Sequence, residues 1–156
     1  KILDIFKIKK KLYLLDHFKG LIHYGKKDTQ HSRIFKGQFL GKKKQIRSFI
    51  DFFKFKNIEI IDKDATTLQP GFFKNRRFSL AYFDMDLYLP TLKGLQAIDK
   101  NMSKGGFIVF DEGYKKLWSE MRAIKDFLKK NKKYRWILID KDKKKQPDVI
   151  LKKISK

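Results

Sequence analysis

The amino-acid sequence predicts an α/β domain with a mostly parallel sheet. Short apolar runs of strand length alternate along the chain with segments in which apolar residues recur at helical spacing, a pattern typical of parallel strands joined by helices. Several of the apolar runs end on an acidic residue. Because ligands bind outside the carboxyl ends of the strands in such sheets, functional side chains are expected at those ends.

Six strands and three helices can be placed from the residue pattern. The strands are predicted at residues 11–16, 57–62, 78–84, 104–112, 134–140 and 147–154. The helices are predicted at residues 42–55, 90–102 and 117–130, each with an apolar stripe. Residues 21–41 hold glycines among polar residues and predict a long loop. The short linker 141–146 joins the last two strands, which are therefore expected to be antiparallel.

Composition limits the classes of function. The chain has 156 residues, of which 42% are hydrophobic, enough for one compact domain. It contains no Cys, which excludes disulfides, zinc–thiolate sites and cysteine nucleophiles. Its apolar runs are far shorter than the ~18 residues of a membrane helix, and no apolar signal segment stands at the start. We therefore expect a cytoplasmic protein without a membrane span.

The formal net charge of +22 raises the hypothesis of nucleic-acid binding. The lysines are spread through nearly every segment, however, and arginine, the better residue for bidentate phosphate and base contacts, is scarce. No RNP-like or helix-turn-helix signature is present. A solvated lysine-rich surface is therefore the favoured interpretation, with no specific nucleic acid as partner, and a basic nucleic-acid-binding module stays as an alternative.

The acidic residues gather at the predicted strand ends, although the chain has only 17 Asp and Glu against 39 Lys and Arg. Parallel strands would bring them to one edge of the sheet. Each could simply end a strand or cap a helix, but carboxylates close to one another also form the oxygen-ligand sites that Mg²⁺, Mn²⁺ or Ca²⁺ prefer. The residues are Asp16, Asp62, Asp64, Asp84, Asp111 and Glu112.

Several motifs resemble the macrocin O-methyltransferase family. FDMDLYLPTLKGL (83–95) is followed by MSKGGFIVFDEGY (102–114) and then by Trp118 and AIKDFL (123–128). Upstream, LLDHFKGL (14–21) and IIDKDATTL (60–68) resemble the family's preceding strand ends, although Lys63 stands where a Gly is common. Members of this family are S-adenosylmethionine-dependent sugar O-methyltransferases with the class I methyltransferase fold.

The resemblance implies a Rossmann-like class I methyltransferase fold that closes with a C-terminal antiparallel hairpin. In that fold a first strand and a glycine-rich cofactor-binding turn precede the strand predicted at residues 11–16, and neither is found upstream of Lys11. The first strand lies between the second and the fourth, so its loss would leave a gap in the sheet. Residues 1–156 are therefore expected to form a single, partial, N-terminally truncated methyltransferase domain, with a degenerate remnant of such a domain as the alternative.

The resemblance also implies roles for three residues at the cofactor. Asp16 would accept hydrogen bonds from the ribose hydroxyls of S-adenosylmethionine, since a carboxylate can accept two such bonds from a vicinal diol. Asp64 and Ala65 would lie beside the adenine, although Asp64 is almost as well explained as a loop cap.

At the next two strand ends, the resemblance implies that Asp84, Asp111 and Glu112 bind Mg²⁺, with Glu112 replacing the second Asp of the usual pair. The metal would hold the acceptor hydroxyl and lower its pKa. Asp84 could also take the proton as general base. Asp86 is interpreted as a residue that orients the loop or caps the following helix.

Other side chains carry weaker signals. Tyr114 and Trp118 could wall a sugar, although core packing is the stronger interpretation. The three histidines show no metal-ligand spacing among themselves; they are His17, His23 and His31.

The predicted function is therefore a divalent-metal-assisted O-methyltransferase acting on a hydroxyl of a sugar or small-molecule acceptor. The rival enzyme class is a nucleotide-sugar glycosyltransferase that uses Asp84-x-Asp86 as its metal site. GGFIVFDE (105–112) and the closing hairpin have no natural place in such an enzyme.

Overall fold

The computed structural model describes residues 9–112, 117–139, 147 and 149–155. The strands within these residues are β1 (Leu12–Asp16), β2 (Ile58–Asp62), β3 (Phe78–Phe83), β4 (Met102–Phe110), β5 (Tyr134–Ile139) and β6 (Val149–Lys153). The α-helices are α1 (Gln30–Arg33), α2 (Lys43–Phe52), α3 (Tyr88–Ile98) and α4 (Glu120–Lys130), and 3-10 turns lie at Ala65–Thr67 and Asp99–Asn101.

The strands form two sheets. β1 and β2 pair in parallel, with Asp16 opposite Asp62. The second sheet has the order β3-β4-β6-β5, in which β3 and β4 are parallel and β6 is antiparallel to both β4 and β5. The predicted α/β architecture and the closing antiparallel pair are confirmed, while the predicted linker 141–146 lies outside the described residues.

A gap in backbone pairing separates the two sheets, as the sequence predicts. In the part of the chain that the structure describes, β1 pairs only with β2 and β3 pairs only with β4. Side chains connect the two sheets near the amino ends of β1 and β3. The Tyr13 ring meets Phe78 edge-on at 5.8 Å, and the Arg76 guanidinium lies 4.7 Å from the centre of the Tyr13 ring and donates to Glu59 at 3.0 Å.

The hydrophobic core is built on the second sheet and on α3 and α4. Ile108, Phe110 and Ile124 are fully buried there. In contrast, every residue of β1 and β2 is exposed or only partly buried. Close packing of α3 on β3 depends on Gly94, since a Cβ at that position would come within 2.7 Å of the Phe83 ring. The strand ends of β3 and β4 therefore rest on the most tightly packed part of the molecule.

Two local features differ from the sequence-based expectation. Gly105 lies inside β4 but has a φ of +82°, at a shift in the pairing register with β3. The predicted apolar stripe of α2 is only partly buried: Ile50 is buried, but Phe49 and Phe53 are exposed. Helical spacing predicts that these apolar residues share one face of α2, but it does not predict which other part of the protein packs against that face.

No helix among the described residues is both long and apolar enough to cross a membrane.

Candidate functional site at the strand ends

The ends of β3 and β4 bring the predicted metal-binding carboxylates to one edge. Phe83 pairs with Phe110 across the two strands, and the Asp111 N–H donates to the Phe83 carbonyl at 3.0 Å, so Asp84 and Asp111 leave the sheet side by side. Partial burial, followed by repulsion from Asp111 and Glu112, raises the pKa of Asp84. Because these acids repel one another, the site favours a bound cation or the protonation of one carboxylate.

Tyr82 orients one of these carboxylates. Its hydroxyl donates a hydrogen bond to Asp111 Oδ1, and this bond is the main reason that the pKa of Tyr82 is raised. The phenol therefore stays protonated and remains a donor, which holds one oxygen of Asp111 in place.

Of the two roles that the sequence suggests for Asp86, orienting the loop or capping the following helix, the capping role is not seen. The N-cap residue of α3 is Leu87, whose side chain makes no capping hydrogen bond. Asp28, from the long loop, accepts instead from the Tyr88 N–H at 2.8 Å. Asp86 has a φ of +57°, and burial, followed by repulsion from the neighbouring acids, raises its pKa to about 7.

Glu120 is a residue of the candidate site that sequence reasoning missed. It is fully buried at the start of α4. Its Oε1 accepts from the Met85 N–H at 3.1 Å, and its Oε2 accepts from the Glu112 N–H at 3.2 Å. One side chain therefore links the segment after β3 to the segment after β4, and burial raises its pKa to about 8. A Glu in the first turn of an amphipathic helix gives no sequence signal for this contact.

The neighbouring Ser119 attaches the long loop to the same edge. Its N–H donates to the Asp86 carbonyl at 2.9 Å, and its Oγ accepts from the Thr29 N–H at 3.1 Å. Trp118 packs against two rings of this loop region, those of His31 and Phe35, each at 5.2 Å. Trp118 is only partly buried and packs on this loop rather than in the hydrophobic core, so the core-packing interpretation is not confirmed. Tyr114 lies outside the described residues.

The ends of β1 and β2 carry the predicted cofactor residues. Asp16 Oδ1 accepts from the Phe18 N–H at 2.9 Å, and its side chain is 53% exposed. Asp64 Oδ1 accepts from both the N–H and the hydroxyl of Thr66 at 2.8 Å, while Oδ2 lies 2.6 Å from His23 Nε2. Ala65, the residue that follows Asp64 in the sequence, is buried. Asp16 is open to a ligand, whereas both oxygens of Asp64 have partners.

The fold brings two of the three histidines together with an acid, an arrangement that their spacing in the sequence did not indicate. His17, His23 and Asp64 each offer one ligand atom, and these atoms lie within 4.8 Å of one another. Of the His, Asp and Glu residues in the described ranges, this is the one such group of three. Asp84, Asp111 and Glu112 share an edge but do not approach this closely as a set.

The chain was compared with known families and structures. A family model described as macrocin-O-methyltransferase (TylF) matches residues 4–143. No curated protein matches at a significant level. The O-methyltransferase NovP superimposes with a TM-score of 0.76 at 16% identity, covering 99% of this chain and 64% of that one. The calicheamicin methyltransferase CalS11 gives 0.67 at 21% identity, covering 91% and 60%.

A third structure, SMU.1697c from Streptococcus mutans in complex with SAH, has a TM-score of 0.55 at 15% identity and covers 92% of this chain and 76% of its own. These likenesses show the fold, and the chain spans less than two thirds of the length of NovP and CalS11. The family model covers most of the sequence, so the chain belongs to the macrocin-O-methyltransferase (TylF) family.

Proposed function

We propose that the protein is an S-adenosylmethionine-dependent O-methyltransferase that acts, with Mg²⁺, on a hydroxyl of a sugar or small-molecule acceptor. Membership of the TylF family supports the reaction class. Structural relatives support the acceptor class, since CalS11 is described as a TDP-rhamnose 3'-O-methyltransferase. The family match also favours this proposal over the nucleotide-sugar glycosyltransferase and over the nucleic-acid-binding module.

The carboxylate of Asp16 fits the cofactor role proposed for it. Its Oδ1 is fixed by the Phe18 N–H, and the half-exposed side chain retains acceptor capacity for the two ribose hydroxyls. Asp64 fits less directly, because His23 contacts its Oδ2. For Asp64 to contact adenine, the His23 ring must move aside. S-adenosylmethionine, when bound, supplies a methyl group activated on sulfur.

The acids at the ends of β3 and β4 are the proposed ligands of a divalent cation, which would draw their side chains closer together than they lie in this structure. The three proposed ligands are Asp84, Asp111 and Glu112, and their mutual repulsion contributes to the raised pKa of Asp84. Carboxylate oxygens are the ligands that Mg²⁺ prefers, and the ion would supply Lewis-acid activation of the acceptor oxygen. Tyr82 and Glu120 hold the acid-bearing segments in place around it.

Asp84 is the proposed general base. A general base must lie within hydrogen-bond reach of the proton that it takes, and Asp84 stands at the edge where the acceptor hydroxyl would be held. Its neighbour Asp86 has its pKa raised to about 7 and is the residue to compare it with. A base is distinguished from a loop-shaping residue by its effect on kcat at unchanged fold.

The observation that carries the proposal is the convergence of acidic residues at the ends of adjacent parallel strands in a TylF-family chain. The test is calorimetric titration with S-adenosylhomocysteine and, separately, with a nucleoside diphosphate. We expect binding of the former, weakened in Asp16→Asn and retained in Asp62→Asn. Asp62 is the matched control because it pairs with Asp16 across β1 and β2 and contacts Lys43.

Binding of the nucleoside diphosphate in preference to S-adenosylhomocysteine would overturn the proposal in favour of glycosyl transfer. Equal loss of S-adenosylhomocysteine binding in both Asn variants would remove the specific role of Asp16.

A further inference from the structure

A second cluster of ligand-type side chains lies at the other sheet, away from the acids of β3 and β4. His17 follows the last residue of β1, His23 lies in the long loop, and Asp64 is two residues beyond the end of β2. Their ligand atoms lie within 4.8 Å of one another, and the rings of His17 and His23 meet edge-on at 5.8 Å. The in-register pairing of β1 with β2 fixes the spacing of two of the three residues.

The carboxylate of Asp64 is already oriented for ligation. Two hydrogen bonds from Thr66 hold Oδ1, which leaves Oδ2 directed at the His23 ring at 2.6 Å. Burial opposes ionisation of Asp64, but the Thr66 bonds and the nearby histidines outweigh it and lower the pKa. Outer hydrogen bonds of this kind fix the orientation of a metal ligand.

The donor set selects the class of ion. Two imidazoles and one carboxylate suit Zn²⁺, Co²⁺ or Ni²⁺, whereas Mg²⁺ prefers oxygen ligands only. We propose that His17, His23 and Asp64 bind one divalent transition-metal ion, with water completing the coordination. Access is open, because the His23 side chain is 42% exposed, and the close contact between His23 and Asp64 would open to admit the ion in place of the shared proton.

The surroundings of His17 can accommodate the change of protonation that ligation requires. Its Nδ1 now accepts from the Lys19 N–H at 3.0 Å, so Nε2 is the atom for the metal. Ligation through Nε2 places the ring proton on Nδ1, which breaks the Lys19 bond. The Asp16 carboxylate, 3.8 Å from Nδ1, then becomes its acceptor, as in the carboxylate–histidine–metal arrangement common in proteins.

One consequence rests on the proposed function. The metal would engage Asp64 directly and Asp16 indirectly, and these are two of the residues proposed to hold S-adenosylmethionine. A transition metal and the cofactor should therefore compete for this end of the sheet, so that each weakens the binding of the other.

The test is titration of the protein with Co²⁺, followed through its visible absorption, and with Zn²⁺ by calorimetry. We expect one ion per chain, with nitrogen-ligand Co²⁺ bands that disappear in His23→Ala and Asp64→Asn. Thr66→Val should weaken binding up to about tenfold, because it removes one of the two hydrogen bonds that hold Oδ1. His31→Gln is the matched control, because this third histidine packs on Trp118 outside the cluster and should leave the affinity unchanged.

Equal Co²⁺ affinity in the wild type and in His23→Ala would overturn the site, as would displacement of Co²⁺ by an equal concentration of Mg²⁺. Competition with S-adenosylhomocysteine is measured separately. Intact Co²⁺ bands without competition would support the metal site while overturning the cofactor roles of Asp16 and Asp64. Absence of the Co²⁺ bands in the wild type, with S-adenosylhomocysteine binding retained, would overturn the metal site and leave the proposed cofactor roles standing.

Discussion

The two sheets hold their acidic side chains in different ways. At β1 and β2, the carboxylates are fixed by near neighbours in the sequence: Asp16 by Phe18 and Asp64 by Thr66. At β3 and β4, the acid-bearing segments are fixed from a distance by the buried Glu120, which lies 35 positions from Met85. At the first edge, the acids lie in local turns that follow two strands with no fully buried residue. At the second edge, the acid-bearing segments are attached to the core through Glu120.

This difference decides the electrostatics of the two edges. At the first edge, the burial of Asp64 is outweighed by the hydrogen bonds from Thr66 and by the nearby histidines, so its pKa is lowered. At the second edge, burial and repulsion between the acids outweigh the hydrogen bonds, so the pKa values of Asp84, Asp86 and Glu120 are all raised. A bound cation would reduce the repulsion between the acids at the ends of β3 and β4, which is why the metal site is proposed there.

The largest expected effect tests whether the two edges differ in their support. Phe110 and Leu15 each stand directly before the terminal Asp of a strand, but Phe110 is fully buried and Leu15 only partly. Phe110→Ala should lower the free energy of unfolding by about 3–5 kcal/mol because it leaves a cavity. Leu15→Ala should lower it by less than about 2 kcal/mol. Denaturant unfolding measures both, and equal losses would remove the distinction.

The second test uses the pH dependence of Glu120. Its pKa is raised from 4.5 to about 8, so the folded state keeps a proton that the unfolded state releases. The stability due to this group is complete below the unfolded pKa and is lost as the pH rises through the folded pKa. Between about pH 5 and pH 8, the wild type should therefore lose stability relative to Glu120→Gln, by at most about 1.4 kcal/mol per pH unit.

The control for Glu120 is Glu59→Gln. A hydrogen bond from Lys11 lowers the pKa of Glu59, so this carboxylate is ionised in both states throughout the same pH window. If the free energies of unfolding of the wild type and of Glu59→Gln change by the same amount with pH, the effect belongs to Glu120. A wild type that gains stability relative to Glu120→Gln as the pH rises would contradict the buried, protonated state.

A third, smaller effect concerns the hydrogen bond from Tyr82 to Asp111. Tyr82→Phe removes the donor that orients the proposed metal ligand and should weaken Mg²⁺ binding about tenfold. Because Tyr82 is 54% exposed, the free energy of unfolding should change by no more than about 0.5 kcal/mol. Calorimetric Mg²⁺ titration and denaturant unfolding separate the two quantities. An unchanged Mg²⁺ affinity would count against Asp111 as a ligand.

The smallest effect is expected at the first edge. The ion pair between Lys43 and Asp62 spans 2.8 Å between two half-exposed side chains, and exposed pairs of this kind contribute little. Lys43→Ala should change the free energy of unfolding by no more than about 0.5 kcal/mol, and less at high salt. A larger loss in thermal unfolding would mean that the β1–β2 edge is held more firmly than its exposure indicates.

Sequence patterns predicted the parts of the fold that local rules govern. All six strands and the antiparallel closing pair agree with the prediction. The gap between β1 and β3 agrees with what the resemblance to the family implies. Strand ends that carry Asp16, Asp64, Asp84 and Asp111 could be identified because acids interrupt apolar runs in a lysine-rich chain. The roles of these residues remain predictions.

Contacts between distant segments could not be predicted. Nothing in the sequence near Glu120 indicates that its oxygens meet the N–H groups of Met85 and Glu112, nor that Asp28 caps α3. The meeting of His17 and His23 with Asp64 depends on how the long loop returns to the sheet. Each of these contacts is decided by tertiary packing, which single-sequence patterns do not encode.

The unpaired side of β3 has a consequence for residues 1–156 when they are studied alone. Among the described strands only β4 pairs with β3, and Leu80 and Tyr82 are exposed on one face of it. An open apolar strand is a template onto which another molecule can add. Mutual repulsion between molecules of charge +22 opposes such addition and weakens as salt screens it. Self-association of residues 1–156 on their own should therefore increase with ionic strength, the reverse of what is usual for assemblies held by opposite charges.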